Sequence, residues 1–370
     1  MLNIIYYYPL GNGAPSEVSR NILSNLANKN LHFNLLVFPQ HCIRKEVIEG
    51  PYKKIEVASL RSILKLSENQ IIHFTMAPGV FPNRRFLLYL LILMKKKRFI
   101  INYHGDPQTE FRVKLASRDL RCLFNIFDHI FTPYIIRSAD KVIVNSIVMK
   151  TLFESKYNTK NLVVIPNGID SSWMNSENTK YNLKGKDSGT YSLFYHGRLA
   201  PEKGVDILIK SIHILTEKYN KNVKLYVAGE GTQYKYLKEL CLKLRIEKNV
   251  IFLGKIPNQT LKDYLCSVDA AIYPSIYEPF SLAVLEAFST VNGPVIYSNK
   301  IGINDFVLKD GFTFYTFEPS VEGILDCITK IIEKNYDEEI HYKQKEFAHK
   351  YTWDKVVYEY VKIYQQYSSF

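Results

Sequence analysis

A chain of 370 residues exceeds one comfortable hydrophobic core and suits two domains. Hydrophobic residues at 46% and charged residues at 23% give an ordinary globular balance, and the longest apolar run, Phe86–Met94, falls far short of the roughly 20 residues a bilayer span needs. The net charge of +12 lies entirely in residues 1–165, which hold 23 Lys and Arg against 11 Asp and Glu; the remainder balances at 25 against 25. A basic half beside a neutral half fits an anionic surface or substrate: nucleic acid, acidic lipid and a phosphate-linked acceptor are all compatible with it.

Met1–Tyr8 runs straight into a short apolar strand, with no basic segment or small-residue cleavage site of the secretory kind, so a soluble, cytoplasmic protein is expected. The predicted strands of the first half are Asn3–Tyr8, Phe33–Phe38, Ile71–Phe74, Phe99–His104, Lys141–Asn145 and Leu162–Ile165. Continuous apolar runs of this length suit a sheet buried on both faces. Gly11-Asn12-Gly13-Ala14 follows the first strand and precedes a helix beginning near Ser16. Glycines in such a turn let backbone approach a phosphate closely, although an ordinary strand-to-helix turn has the same composition. Arg84, Arg85, Lys95, Lys96, Lys97 and Arg98 bracket the Phe86–Met94 run, and Arg112, Lys114, Arg118 and Arg121 follow. This pattern suits either a core helix with solvated ends or a face resting on an anionic membrane surface.

Pro166-Asn167-Gly168-Ile169-Asp170 is turn chemistry followed by a polar stretch, and marks a domain boundary: residues 1–165, then 166–353, with a C-terminal helix at about 354–370. The second half repeats the rhythm, with strands Ser192–His196, Val223–Ala228, Val250–Leu253, Ala270–Tyr273 and Pro294–Tyr297. Between the first two, Val205, Leu208, Ile212, Leu215 and Tyr219 step as one core-facing helical stripe. Trp353, Val357, Tyr360 and Tyr364 form another. Alternating strand and helix means α/β with parallel sheets and sites at the carboxyl ends of strands. The five cysteines, Cys42, Cys122, Cys241, Cys266 and Cys327, lack metal-ligand spacing and read as reduced core thiols.

Two strand–loop–helix segments carry chemistry. In His196–Gly204, Arg198 and Lys203 place a guanidinium fork and a point-charge ammonium in one loop, a pairing that suits a diphosphate. In Tyr273–Ala287, Glu278 precedes a helix predicted to begin near Phe280 and Glu286 lies within it. Two carboxylates then flank a helix N-terminus, where amides and the helix dipole favour an anion.

These segments resemble the retaining GT-B glycosyltransferases of glycosyltransferase family 4. The resemblance rests on GRLAPEKG at Gly197–Gly204 and EPFSLAVLE at Glu278–Glu286. Supporting pieces are PNGID at Pro166–Asp170, VAGEG at Val227–Gly231, FLGKI at Phe252–Ile256 and YTWDKVVYEYVKIY at Tyr351–Tyr364. It is strong from Pro166 to Tyr364 and loose in the first half. It implies two Rossmann-like domains facing an interdomain cleft, the C-terminal helix at about 354–370 crossing back to the first, and a nucleotide-sugar donor with no further cofactor and no metal. Arg198 and Lys203 then bind the donor diphosphate and stabilise it as it leaves. Glu278 contacts the transferred sugar, and Glu286 holds the nucleotide ribose. Amides of Phe280, Ser281 and Leu282 cradle phosphate, with Gly11 and Gly13 from the first domain. The loop containing Lys255 and Ile256 faces the base, Gly197, Gly229 and Glu230 line the same pocket, and His104 lies near the sugar. A UDP-sugar is favoured over a GDP-sugar, with a saccharide or lipid-linked saccharide as acceptor and peripheral attachment to the inner face of the cell membrane.

Three features depart from the family pattern. Ser281 stands where glycine is common, Ile301-Gly302-Ile303-Asn304-Asp305 replaces a Gly-(Gly/Ile)-Pro-Glu run, and the first glycine loop is spaced differently. Two other readings stay open: a non-catalytic sugar- or nucleotide-binding homologue, and a basic nucleic-acid-binding protein, although no nucleic-acid module is recognisable. A dehydrogenase is excluded, because no GxGxxG with a downstream acid follows the first strand.

Overall fold

The computed structural model describes residues 4–8, 14–27, 34–37, 54–57, 71–74, 90, 92–94, 98–106, 108, 109, 111, 115, 126–174, 183, 187–333 and 337–367. By its contacts the chain divides into two compact units, Met1–Gly168 with Trp353–Phe370, and Ile169–Thr352. Among the described residues, no helix is long and apolar enough to cross a membrane.

In the first unit, strands β1 (Ile4–Tyr8), β2 (Asn34–Val37), β3 (Lys54–Val57), β4 (Ile71–Phe74), β5 (Phe99–Tyr103), β6 (Lys141–Val144) and β7 (Leu162–Val164) form one sheet in the order β3-β2-β1-β4-β5-β6-β7. Every pairing is parallel. The side chains of β4 and β5 are buried along their whole length, as their unbroken apolar runs require. Helices α1 (Ala14–Ala27), α2 (Ile126–Ser138) and α3 (Ile147–Tyr157) belong here. Val18, Ile22, Leu23 and Leu26 of α1 recur at helical spacing and are fully buried. Ser146 caps α3 by accepting from the Met149 amide at 3.2 Å, and Asn158 ends it in the left-handed conformation.

The second unit alternates strand and helix: β8 (Tyr191–His196), α4 (Val205–Glu217), β9 (Val223–Ala228), α5 (Tyr234–Leu244), β10 (Val250–Gly254), α6 (Asn258–Ser267), β11 (Ala270–Tyr273), α7 (Leu282–Thr290), β12 (Val295–Ser298), α8 (Ile303–Lys309) and β13 (Thr316–Phe317). Helices α9 (Val321–Ile332) and α10 (Ile340–Lys350) complete it. The parallel sheet has the order β10-β9-β8-β11-β12-β13. Along α4, Val205, Leu208, Ile212 and Leu215 are buried as predicted, but the helix stops at Glu217 and Tyr219 is 53% exposed. Phe288, Phe314, Phe347 and Tyr351 join α7, α10 and the intervening loop through ring contacts of 4.8–5.9 Å. Cys241, Cys266 and Cys327 are buried free thiols, and Cys42 and Cys122 lie outside the described residues.

The last helix, α11 (Trp353–Gln365), packs with the first unit. Trp353, Val357, Tyr360 and Tyr364 are all buried. Two of these reach a polar pair inside the sheet. His73 Nε2 lies 2.9 Å from Asn102 Oδ1, an atom that can only accept, so Nε2 carries the proton and Nδ1 accepts from Tyr364 Oη at 2.6 Å. Asn102 Nδ2 donates to Tyr360 Oη at 3.1 Å. Burial pushes the His73 pKa down to about 4, against the Asn102 hydrogen bond, which raises it. A neutral, satisfied imidazole therefore marks where α11 docks.

Candidate functional site

The order of the second sheet reverses between β8 and β11, the position where open parallel sheets leave a crevice at their carboxyl ends. The loops leaving these two strands, Gly197–Gly204 and Pro274–Ser281, meet through backbone. Ile276 N donates to Glu202 O at 2.8 Å, and a Cβ on Gly204, which has φ +64°, would stand 2.3 Å from Pro274 O. Glycine is thus required sterically and conformationally where the loops touch.

This contact brings three predicted residues and two unpredicted ones together. Lys203 Nζ lies 2.5 Å from Glu278 Oε1, and Ser275 Oγ donates to Glu278 Oε2 at 2.9 Å. The Lys203 and Glu278 side chains are each 15% exposed, shielded enough for a strong pair yet open to a ligand. Arg198, 68% exposed, reaches Glu202 at 2.8 Å. Both cations therefore rest on a glutamate. Tyr195, buried beneath, donates to Arg198 O at 3.1 Å. Its pKa is pushed well above the ordinary value by burial first and by the charges of Glu278 and Glu202 next.

Glu286 sits in the second turn of α7, and its Oε2 lies 3.0 Å from His196 Nε2. His196 Nδ1 in turn lies 2.8 Å from Tyr273 Oη. Both partners stand at the carboxyl ends of neighbouring strands, β8 and β11.

Helix α7 begins at Leu282, two residues later than predicted. Ser281 has φ +85°, which explains why glycine suits this position; the serine hydroxyl caps the helix by accepting from Val284 N at 3.3 Å. The first amides of α7, Leu282 and Ala283, have no acceptor within the helix. Phe280 and Ser281 are buried and Leu282 is half-buried. The Ile301–Asp305 run supports this turn through its backbone: Gly302 N donates to Glu278 O at 2.9 Å and Ile303 N to Phe280 O at 3.2 Å. Main-chain support of this kind tolerates the altered side chains.

Gly197 and Gly229 end β8 and β9 in close backbone contact, a Cβ on Gly229 standing 1.9 Å from Gly197 O. Glu230 and Lys255 follow on exposed loops of the same sheet end, with Ile256 half-buried. His104 belongs to the first unit, half-buried on the loop after β5. Asp106 anchors that loop: it accepts from Thr109 N and Oγ1, from Tyr157 Oη at 2.6 Å and from Lys156 Nζ. Burial raises the Asp106 pKa, but the hydrogen bonds from Lys156, Thr109 and Tyr157 outweigh it and hold the carboxyl below its ordinary value. Gly11, Gly13 and the basic residues Arg84, Arg85, Lys95–Lys97, Arg112, Lys114, Arg118 and Arg121 lie outside the described residues. Sequence reasoning missed Glu202, Ser275, His196 and Tyr273. Glu202 stands four residues from Arg198 and Ser275 three from Glu278, a local signal; His196 and Glu286 are 90 residues apart and carried none.

Residues 38–173 match the family model described as Glycosyltransferase Family 4, and residues 177–350 match Glycosyl transferases group 1. An uncharacterised glycosyltransferase of Methanocaldococcus jannaschii is 29% identical over 199 residues, 53% of this chain and 50% of that protein. The lipopolysaccharide 1,2-N-acetylglucosaminetransferase of Salmonella typhimurium is 28% identical over 240 residues, 61% of this chain and 62% of its own. The chain spans about half the length of the first curated relatives it matches. Among solved structures, sucrose-phosphate synthase from Thermosynechococcus elongatus superposes with a TM-score of 0.71 at 16% identity, covering 98% of both chains. HepE of Anabaena, solved with UDP and glucose, gives 0.70 at 16%, covering 99% of this chain and 100% of that one. These likenesses establish the fold as GT-B, with two Rossmann-like parallel α/β domains.

Proposed function

The chain carries two glycosyltransferase domains, a family 4 domain followed by a group 1 domain, and from that premise we propose that it moves a hexose-type sugar from a nucleoside-diphosphate sugar to an acceptor hydroxyl with retention of anomeric configuration. The observation that carries this reading is the Lys203–Glu278 pair beside the start of α7, at the reversal of the second sheet. A diphosphate arriving there takes Lys203 and Arg198 from their glutamates and meets the open amides of Leu282 and Ala283. Glu278, released from Lys203, turns to the hydroxyls of the transferred sugar.

In this reading the bond from the sugar's anomeric carbon to the phosphate oxygen breaks, and a bond to the acceptor oxygen forms on the same face. The acceptor's proton passes to the departing phosphate, and the nucleoside diphosphate leaves. Lys203, Arg198 and the α7 amides stabilise the growing phosphate charge, work that other enzymes assign to a divalent ion. Glu286 holds the ribose. UDP is the favoured nucleotide, in line with the UDP held by HepE. A saccharide or lipid-linked saccharide is the acceptor, in cytoplasmic assembly of bacterial surface polysaccharide or glycolipid, with the basic first half resting on an anionic inner-membrane surface. Binding and slow hydrolysis of donors, assayed across a library of UDP- and GDP-sugars, test the reading. One donor cleaved well above the others supports it, and no cleavage or binding of any donor contradicts it.

A further inference from the structure

Glu278 and Glu286 are held differently. Both oxygens of Glu278 are occupied, by Lys203 and Ser275. Only Oε2 of Glu286 is engaged, by His196, and Oε1 has no partner among the described residues although the side chain is 18% exposed. The first carboxylate must exchange partners to meet a ligand, whereas the second is already aimed.

What aims it is settled by counting protons. Tyr273 is 2% exposed, and its hydroxyl has His196 Nδ1, at 2.8 Å, as its one hydrogen-bond partner among the described residues. Burial, with the charges of Glu286 and Glu278 nearby, pushes the Tyr273 pKa well above its ordinary value, so the phenol keeps its proton. That proton has nowhere to go but Nδ1, which makes Nδ1 an acceptor and places the imidazole proton on Nε2, facing Glu286. The ring is itself fixed, 5% exposed and edge-on to Tyr273 with centroids 5.4 Å apart. The imidazole engages Oε2 alone, so Oε1 keeps its lone pairs for an incoming donor.

We propose that His196 is a positioning residue for Glu286, its Nε2–H pinning Oε2 so that Oε1 is presented to the ribose hydroxyls of the bound nucleotide. The inference rests on the reading of Glu286 as the ribose-holding group. It makes Tyr273 the residue that selects the tautomer, and it removes the rotamer freedom of Glu286 before the nucleotide arrives.

The test compares the affinities of UDP and 2′,3′-dideoxy-UDP by calorimetry, in the full chain and its variants. The unaltered protein should prefer the ribonucleotide by about tenfold or more, as expected for hydrogen bonds to a carboxylate. His196→Phe should bring that preference to within about twofold, with dideoxy-UDP affinity nearly unchanged, because the phosphate contacts remain. His196→Gln, which keeps an N–H at the same reach, should retain the preference, and Tyr273→Phe should reduce it in part. Full preference in His196→Phe, or equal loss in the Phe and Gln variants, overturns the positioning role while leaving Glu286 as the ribose group. No preference in the unaltered protein, or one that survives Glu286→Ala, overturns the Glu286 reading and this inference with it. Should His196→Phe fail to fold, an undiminished preference in Tyr273→Phe overturns the proposal.

Discussion

The two units use polar side chains in opposite ways. In the first unit, His73 and Asn102 point inward and are closed over by Tyr360 and Tyr364 of α11, each bond satisfied and the imidazole held neutral. In the second, Lys203 and Glu278 pair at 15% exposure, with Arg198 and Glu202 further out. A buried network with every partner supplied by the protein specifies one packing, here the return of the C-terminal helix. A half-shielded ion pair keeps its charges within reach of a ligand able to replace either partner. The same architecture thus uses polar groups as a fastening in one unit and as an exchangeable contact in the other.

Substitution can break this contrast from either side. The largest effect is expected in the second unit: Lys203→Ala, Glu278→Ala and Arg198→Ala should each lower transfer by about 10²- to 10³-fold, the scale for losing one transition-state electrostatic contact, while circular dichroism stays unchanged. Near-normal turnover in well-folded variants would remove these residues from the site.

The first unit should respond through stability instead. The His73 pKa is lowered to about 4 from an ordinary 6.5, so between these values the unfolded chain binds more protons than the folded one. Stability conferred by the neutral ring is therefore complete above about pH 6.5 and falls with pH to about 4, by about 3 kcal/mol. Urea unfolding at pH 7 and pH 4.5 should show this loss in the unaltered protein and a flatter dependence in His73→Gln. Identical slopes in the two proteins contradict the fastening role.

A smaller effect sharpens the picture at the α7 turn. Ser281 combines a left-handed φ of +85° with a capping hydroxyl. Ser281→Ala keeps the strain and loses the cap, costing about 1 kcal/mol, whereas Ser281→Gly relieves strain as it loses the cap and should be neutral or slightly stabilising. Thermal melts of the two variants separate these contributions, and an equal loss in both would show that φ imposes no strain.

Much of the second unit was legible because its strands are largely apolar runs: Val223–Ala228 and Ala270–Tyr273 begin and end where predicted. Strand β3, Lys-Ile-Glu-Val at the edge of the first sheet, escaped notice because alternation replaces the apolar run there, and β13 has only two residues. Tyr219 continued a helical stripe on paper, but α4 ends two residues before it and leaves it exposed. The charged residues were visible as loop chemistry after strands. Their partners were not, since Lys203 meets Glu278 across 75 residues of sequence and the pairing depends on which strands are neighbours. The apolar stripe of α11 called for a partner surface and the family resemblance for its return to the first domain, whereas the His73–Asn102 pair that receives it is hidden inside two otherwise apolar strands.

Titration of UDP into the unaltered protein and Lys203→Ala, at low and at physiological salt, measures the exchangeable ion pair most directly. Saturable binding should weaken at least about tenfold in the variant, with a smaller salt dependence once the cation is gone. Equal affinity in both proteins, or no binding by either, would contradict the assignment of this strand-end pair to a diphosphate.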